Sequence, residues 1–109
     1  MRVGVDVCLI SRFEGKEELA ERILSSKELS EYEKAVDKAT YLARAFAAKE
    51  AFVKASGRKD IDYRRLEIDH EEDGRPYLLL DQQRIEGDLS LSHDFVAMAV
   101  LLLEERSNG

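Results

Sequence analysis

The chain has 109 residues, 44% of them hydrophobic and 37% charged, and carries a formal net charge of −6. That length predicts a single domain over residues 1–109, with a modest core that gains from oligomerisation. No apolar run is long enough to span a bilayer, the acid excess argues against broad nucleic-acid binding, and one cysteine, Cys8, excludes an internal disulfide. Met1-Arg2 leads directly into a strand pattern without a secretory signal, so the expected location is the cytoplasm.

Val3, Val5, Val7 and Leu9 alternate with Gly4, Asp6, Cys8 and Ile10, which predicts a strand over residues 2–10. Residues 17–24 read as a short helix with Leu19, Ala20, Ile23 and Leu24 on one side. Ser25-Ser26-Lys27-Glu28 fits a capping box opening a second helix that runs to about Val36. Asp37 is the predicted N-cap of a long helix ending at Gly57. Leu42, Ala45, Phe46 and Val53 form its expected core side, and Ala43, Ala47, Glu50 and Lys54 its other side. Strands are expected over 65–70 and 76–80, joined through Asp73-Gly74. Residues 81–87 read as a turn or one helical turn, 89–92 and 96–103 as a last strand pair, and 107–109 as a frayed tail. The order β-α-α-α-β-β-β-β predicts an α+β domain.

Three clusters carry chemistry. Asp6 places a carboxylate in an apolar strand that is expected to be central, where it needs a cation or several hydrogen bonds. An edge or strand-end aspartate capping a helix is the structural alternative. Glu50 and Lys54 stand four residues apart, the spacing of an ordinary surface salt bridge, yet Ala43 and Ala47 on the same stripe would let another body approach closely. Magnesium is typically held by one or two carboxylates plus substrate phosphates, which Asp6 and Glu50 could supply. Lys54 could add a point charge for a phosphate oxygen, and such a set suits phosphoryl transfer. Ser90-Leu91-Ser92-His93-Asp94 lies between two strands, where a serine and a histidine can grip a phosphate or a sugar, or make a polar hairpin turn. No Gly-x-Ser-x-Gly elbow is present, and two histidines with one cysteine lack zinc-ligand spacing.

Taken in order, Gly4-Val5-Asp6-Val7 with Ile10-Ser11-Arg12-Phe13, then Phe46-Ala47-Ala48-Lys49-Glu50-Ala51-Phe52-Val53-Lys54-Ala55, then Ser90-Leu91-Ser92-His93-Asp94 resemble the motifs of the holo-acyl-carrier-protein synthase family. These are the small, bacterial-type 4′-phosphopantetheinyl transferases. Asp73-Gly74-Arg75-Pro76 resembles the family's hairpin before its later strands. The resemblance implies an antiparallel sheet packed against one long helix and shorter helices, and a homotrimer with active sites at subunit interfaces. It implies transfer of 4′-phosphopantetheine from coenzyme A to a serine of apo-acyl carrier protein, with 3′,5′-ADP leaving. Catalytic roles fall on Asp6, Glu50 and Lys54, with Mg2+ held by Asp6 and Glu50. Water at the metal or a nearby carboxylate would take the serine proton. Coenzyme A contacts fall on Arg44, Lys49, Lys54, Gly57, Ser92 and His93. The acidic carrier protein is expected against Arg12, Phe13 and Arg22, with Lys16 and Lys27 as helpers. Membranes and nucleic acid are not expected partners.

The chain departs from the family at several points. Leu9 stands where the family usually has an acid, and Ala45 where it often has arginine, with Arg44 one residue earlier. The glycine-rich loop is reduced to Gly57-Arg58-Lys59-Asp60, and the segment from His93 to Val96 is short. The rival readings are a non-catalytic coenzyme A or nucleotide-binding module of the same fold, and a purely structural oligomerisation domain.

Overall fold

In the computed structural model, which describes residues 1–104, β1 (Arg2–Leu9) leads through a 3-10 turn (Ile10–Phe13) into α1 (Glu17–Ile23), α2 (Ser26–Lys34) and α3 (Lys38–Ser56). A second 3-10 turn (Tyr63–Arg65) precedes β2 (Leu66–His70), β3 (Pro76–Leu80), β4 (Gln83–Arg84), β5 (Gly87–His93) and β6 (Val96–Leu103). The expected α+β class and antiparallel pairing hold, but the strands divide into two three-stranded sheets, β1-β6-β5 and β2-β3-β4. The expected turn at 81–87 contains β4. Asp81 and Gln82 both take positive φ, the backbone that closes a two-residue hairpin between β3 and β4. The expected tail at 107–109 lies outside the described residues.

Local signals place the helix ends. Ser25 and Glu28 form the reciprocal capping box that starts α2, which stops at Lys34 rather than Val36. Asp37 accepts from the Thr40 N–H at 3.0 Å to start α3, and Gly57, at φ 76°, ends it with its N–H bonded to the Val53 carbonyl.

α3 is buried around most of its circumference because both sides of it are covered. Ala43, Ala47, Ala51 and Ala55, spaced every fourth residue, are all buried and form the seat for β1. The body that approaches this alanine stripe is therefore the chain's own first strand. A Cβ at Gly4 would stand 1.9 Å from the Ala51 carbonyl oxygen, so contact there requires glycine. Gly4→Ala is expected to cost about 3 kcal/mol through overpacking, lowering the urea midpoint with little change in slope. An unaltered midpoint would show that β1 does not seat on Ala51 in solution.

Close packing through small residues sets the polarity of β1. Gly4, Asp6 and Cys8 face α3, alongside Ala97, Ala99 and Leu101 of β6. Val3, Val5, Val7 and Leu9 face away and are exposed, Val3 to 59%. β1 is an edge strand, not the central one expected, so Asp6 owes its burial to the overlying helix rather than to flanking strands.

Candidate active site

Asp6 is the one carboxylate on the helix-facing side of β1, and its side chain is only 12% exposed. Lys54 leans over it from the last turn of α3. Its Nζ lies 2.9 Å from Asp6 Oδ1 and 3.2 Å from the Val5 carbonyl. The hydrogen bond and charge of Asp6, with a smaller contribution from Glu50, raise the Lys54 pKa, so its ammonium stays charged across the neutral range. Glu50 lies one turn before Lys54. Its charge acts on the Tyr63 phenol, while that of Asp6 acts on the same phenol more weakly. Burial first, then these acids, pushes Tyr63 up from the ordinary tyrosine value. Asp6 and Glu50, 44 positions apart in sequence (50 − 6), therefore share one neighbourhood with Lys54 and Tyr63.

Cys8, two residues along β1, feels both acids as well. Burial and Asp6 push its thiol up to about 11. Its Sγ donates to the Ala43 carbonyl at 3.4 Å, consistent with a packing role for this half-buried residue.

Lys49 needs correction as a coenzyme A contact. It is 0% exposed, and its Nζ donates to Glu28 Oε1 at 2.6 Å, the Ile23 carbonyl at 2.6 Å and the Tyr63 carbonyl at 3.0 Å. A lysine with three acceptors in the core has no donor left for a phosphate. Phe13 needs correction as an exposed apolar contact, because it is buried against Phe46 with ring centroids 5.5 Å apart. Arg12 and Arg22 are exposed as expected. Of the two helpers, Lys27 is engaged by Asp69 at 3.0 Å.

The remaining expected residues lie elsewhere in the same chain. His93 ends β5 in register with Ala97, which pairs with Cys8, and acts electrostatically on Asp37 at the start of α3. Thirteen residues of helix separate Asp37 from Glu50, roughly 20 Å along the axis. Arg44 lines a small cavity with Glu31, Tyr41, Ala45, Ile68, His70 and Leu91, and its buried Nε has no hydrogen-bond partner among the described residues. Six residues before Glu50, it points about 120° away around the helix. Ser92 sits on the outer sheet face, opposite Met98. One chain thus holds an acid–lysine cluster at the C-terminal half of α3 and an arginine–histidine region at its N-terminal half. Gly57 and the exposed Arg58 and Lys59 follow the acid–lysine end.

Sequence reasoning missed Tyr63. Its signal was weak: an aromatic residue in Asp62-Tyr63-Arg64 just before a strand, with nothing in its spacing to tie it to Glu50.

Fold and site define a small α+β domain with a carboxylate–lysine cluster between an edge strand and one long helix. Residues 2–100 match the model of the 4′-phosphopantetheinyl transferase superfamily, and the chain belongs to this family. A holo-acyl-carrier-protein synthase of Vesicomyosocius okutanii is 38% identical, with 94% of each chain covered. The crystal structure of the Neisseria meningitidis holo-acyl-carrier-protein synthase superimposes with a TM-score of 0.82 at 30% identity, covering 95% of this chain and 98% of that one. The Helicobacter pylori holo-acyl-carrier-protein synthase, solved in complex with coenzyme A, gives a TM-score of 0.77 at 28% identity over 94% of this chain and 99% of that one. Among the described residues, no helix is long and apolar enough to cross a membrane.

Proposed function

We propose that this chain transfers 4′-phosphopantetheine from coenzyme A to a serine of an apo-acyl carrier protein, with Mg2+ held by Asp6 and Glu50. The observation that carries this reading is the convergence of Asp6, Glu50 and Lys54 from β1 and α3. Among the described residues, no three His, Cys, Asp or Glu side chains gather as a metal cage. Two hard carboxylate donors without a third fit Mg2+, which keeps waters and takes its remaining ligands from substrate phosphates. Bound there, Mg2+ would neutralise charge on the coenzyme A diphosphate.

The chain's own groups then have definite tasks. Asp6 and Glu50 supply the negative site. Lys54, half-exposed on a flexible stem, exchanges Asp6 for a phosphate oxygen and adds a fixed positive charge. The serine oxygen forms a bond to the phosphorus that carries pantetheine, the bond from that phosphorus to the nucleotide side breaks, and 3′,5′-ADP leaves. Leu9 offers no carboxylate beside Asp6, so the serine proton passes to water or to one of the two acids already present. Arg12 and Arg22 offer the exposed cations for an acidic carrier protein.

The arginine–histidine region joins the acid–lysine cluster only if a second copy supplies it. The exposed outer face of Val3, Val5, Val7, Leu9 and Met98 is the surface for that assembly, and we read the assembly as a homotrimer in the cytoplasm. Arg44, Ser92 and His93 of one copy would then meet the nucleotide held by another. Val5→Asp, whose cross-strand partner is Val100, is expected to convert the assembly to monomers by light scattering. Activity should fall at least tenfold with it. A wild-type monomer with full activity would overturn the shared-site reading.

The direct test incubates the protein with coenzyme A, Mg2+ and apo-acyl carrier protein and follows the carrier by mass spectrometry. Gain of one phosphopantetheine supports the proposal. Coenzyme A binding without transfer at any Mg2+ concentration would identify the non-catalytic module instead.

A further inference from the structure

An open groove of about 530 Å3 lies at the start of α3, lined by Phe13, Tyr32, Val36 and Ala39. Val36 is fully exposed there, whereas Phe13 and Tyr32 are buried residues that present only an edge to it. Glu14, Glu17 and Asp37 also border the groove, against the ammonium of Lys38, which lies 5.8 Å over the Tyr32 ring. The groove is linked to the acid–lysine cluster through two rings. Phe13 packs on Phe46 with ring centroids 5.5 Å apart, and Phe46 precedes Glu50 by one turn of α3. At 100° per residue, Ala39, Phe46, Glu50 and Lys54 fall within about 80° of the helix circumference. Ala39 stands roughly 16 Å from Glu50 along the axis. The groove therefore opens at the N-terminal end of the same helix face that carries Glu50 and Lys54.

We propose that this groove receives the thiol end of the pantetheine arm of a coenzyme A whose diphosphate is held at Asp6, Glu50 and Lys54. The inference rests on the reading of those three residues as the diphosphate site. About thirteen bonds separate the phosphorus from the sulfur, which at the reach of an extended chain is roughly 15 Å. That length matches the rise from Glu50 to Ala39. The arm is uncharged, built of amides, methyl groups and methylenes, and a pocket with an apolar lining suits it. A thiol or short thioester rests on Phe13, Tyr32 and Val36 without bringing a charge onto apolar surface. The three bordering carboxylates select the same occupant. They oppose the phosphates of the nucleotide end, and they equally oppose a helix of an acidic carrier protein.

The test places a thiol in the groove of the full chain. Val36→Cys is compared with Lys34→Cys, an exposed position outside the groove, and wild type serves as the blank for Cys8. Each is treated, with Mg2+ present, with the 2-pyridyl mixed disulfide of coenzyme A. Attack of the introduced thiolate on the coenzyme sulfur forms a protein–coenzyme A disulfide and releases one 2-thiopyridone, whose absorbance gives the rate. Val36 is exposed, so its substitution should leave the melting temperature unchanged. An arm anchored at its diphosphate raises the local concentration of the disulfide, so Val36→Cys should react at least about tenfold faster than Lys34→Cys. Saturating 3′,5′-ADP, which lacks the arm, should displace the reagent and return the rate to that of the control. Equal rates at the two positions, with 3′,5′-ADP still binding by calorimetry, would overturn the groove assignment alone. So would a fast rate that 3′,5′-ADP leaves unchanged. Failure of wild type to bind either coenzyme A or 3′,5′-ADP would overturn the diphosphate site, and the inference with it.

Discussion

Glu50→Ala is expected to reduce turnover on the order of 10^3-fold while leaving the fold intact. Alanine is the best helix former, and Glu50 is partly exposed on a helix whose ends are independently capped, so α3 should keep its length. The loss is chemical. On the proposed role, removing one of the two carboxylates would weaken the hold on a cation whose charge neutralisation is worth about 4 kcal/mol in the transition state, and each 1.36 kcal/mol is about tenfold in rate. Conversion of apo- to holo-carrier protein, measured over a wide range of Mg2+ concentration, checks the expectation. Raising Mg2+ should recover only part of the rate, because Asp6 alone also remains the partner of Lys54. Normal turnover with normal metal dependence would remove Glu50 from the site.

Lys49→Met should produce a comparably large effect of a different kind. Glu28 is buried and its carboxylate accepts from the Ser25 N–H at 3.0 Å, the Ile68 N–H at 2.8 Å and Lys49 Nζ at 2.6 Å. It thereby fastens α2, β2 and α3 to one another. Burial lowers the Lys49 pKa, and the charge and hydrogen bond of Glu28 oppose that effect. Methionine fills the space but leaves the Glu28 charge without its counter-ion, and leaves the Ile23 and Tyr63 carbonyls without their donor. Breaking a buried pair from one side costs about 3–5 kcal/mol. Urea unfolding should show that loss. Adding Glu28→Gln should recover part of it, because an amide keeps acceptor capacity without the orphaned charge. Coenzyme A affinity of the still-folded fraction should change little. A selective loss of coenzyme A binding at unchanged stability would restore Lys49 as a ligand contact.

These two adjacent residues mark how far the sequence can be read. Glu50 and Lys49 share a motif and a helix, and both are charged, yet one faces a site and the other the core. The resemblance assigned both to ligands. Burial separates them, and it depends on α1, α2 and the turn before β2 covering one side of α3. Phe13 fails as an exposed contact for the same reason, since Phe46 and the helix above it close over its ring.

Helix ends and most strands were legible from sequence alone because their signals act within a few residues. Ser25 with Glu28, Asp37 with Thr40, and Gly57 in left-handed geometry each satisfy backbone groups of their immediate neighbours. The motif pattern was also sufficient to place the chain in its family, and it pointed to Asp6, Glu50 and Lys54 as the proposed site. Only the tertiary structure decided that β1 is an edge strand and that its valines point away from the helix. It also decided that Arg44 and His93 lie far from Glu50 in one chain, and that Tyr63 joins the acid pair. Each of these is settled by how closely two distant segments can pack, as Gly4 on Ala51 illustrates, and alternation along a single strand is the same whichever face is covered.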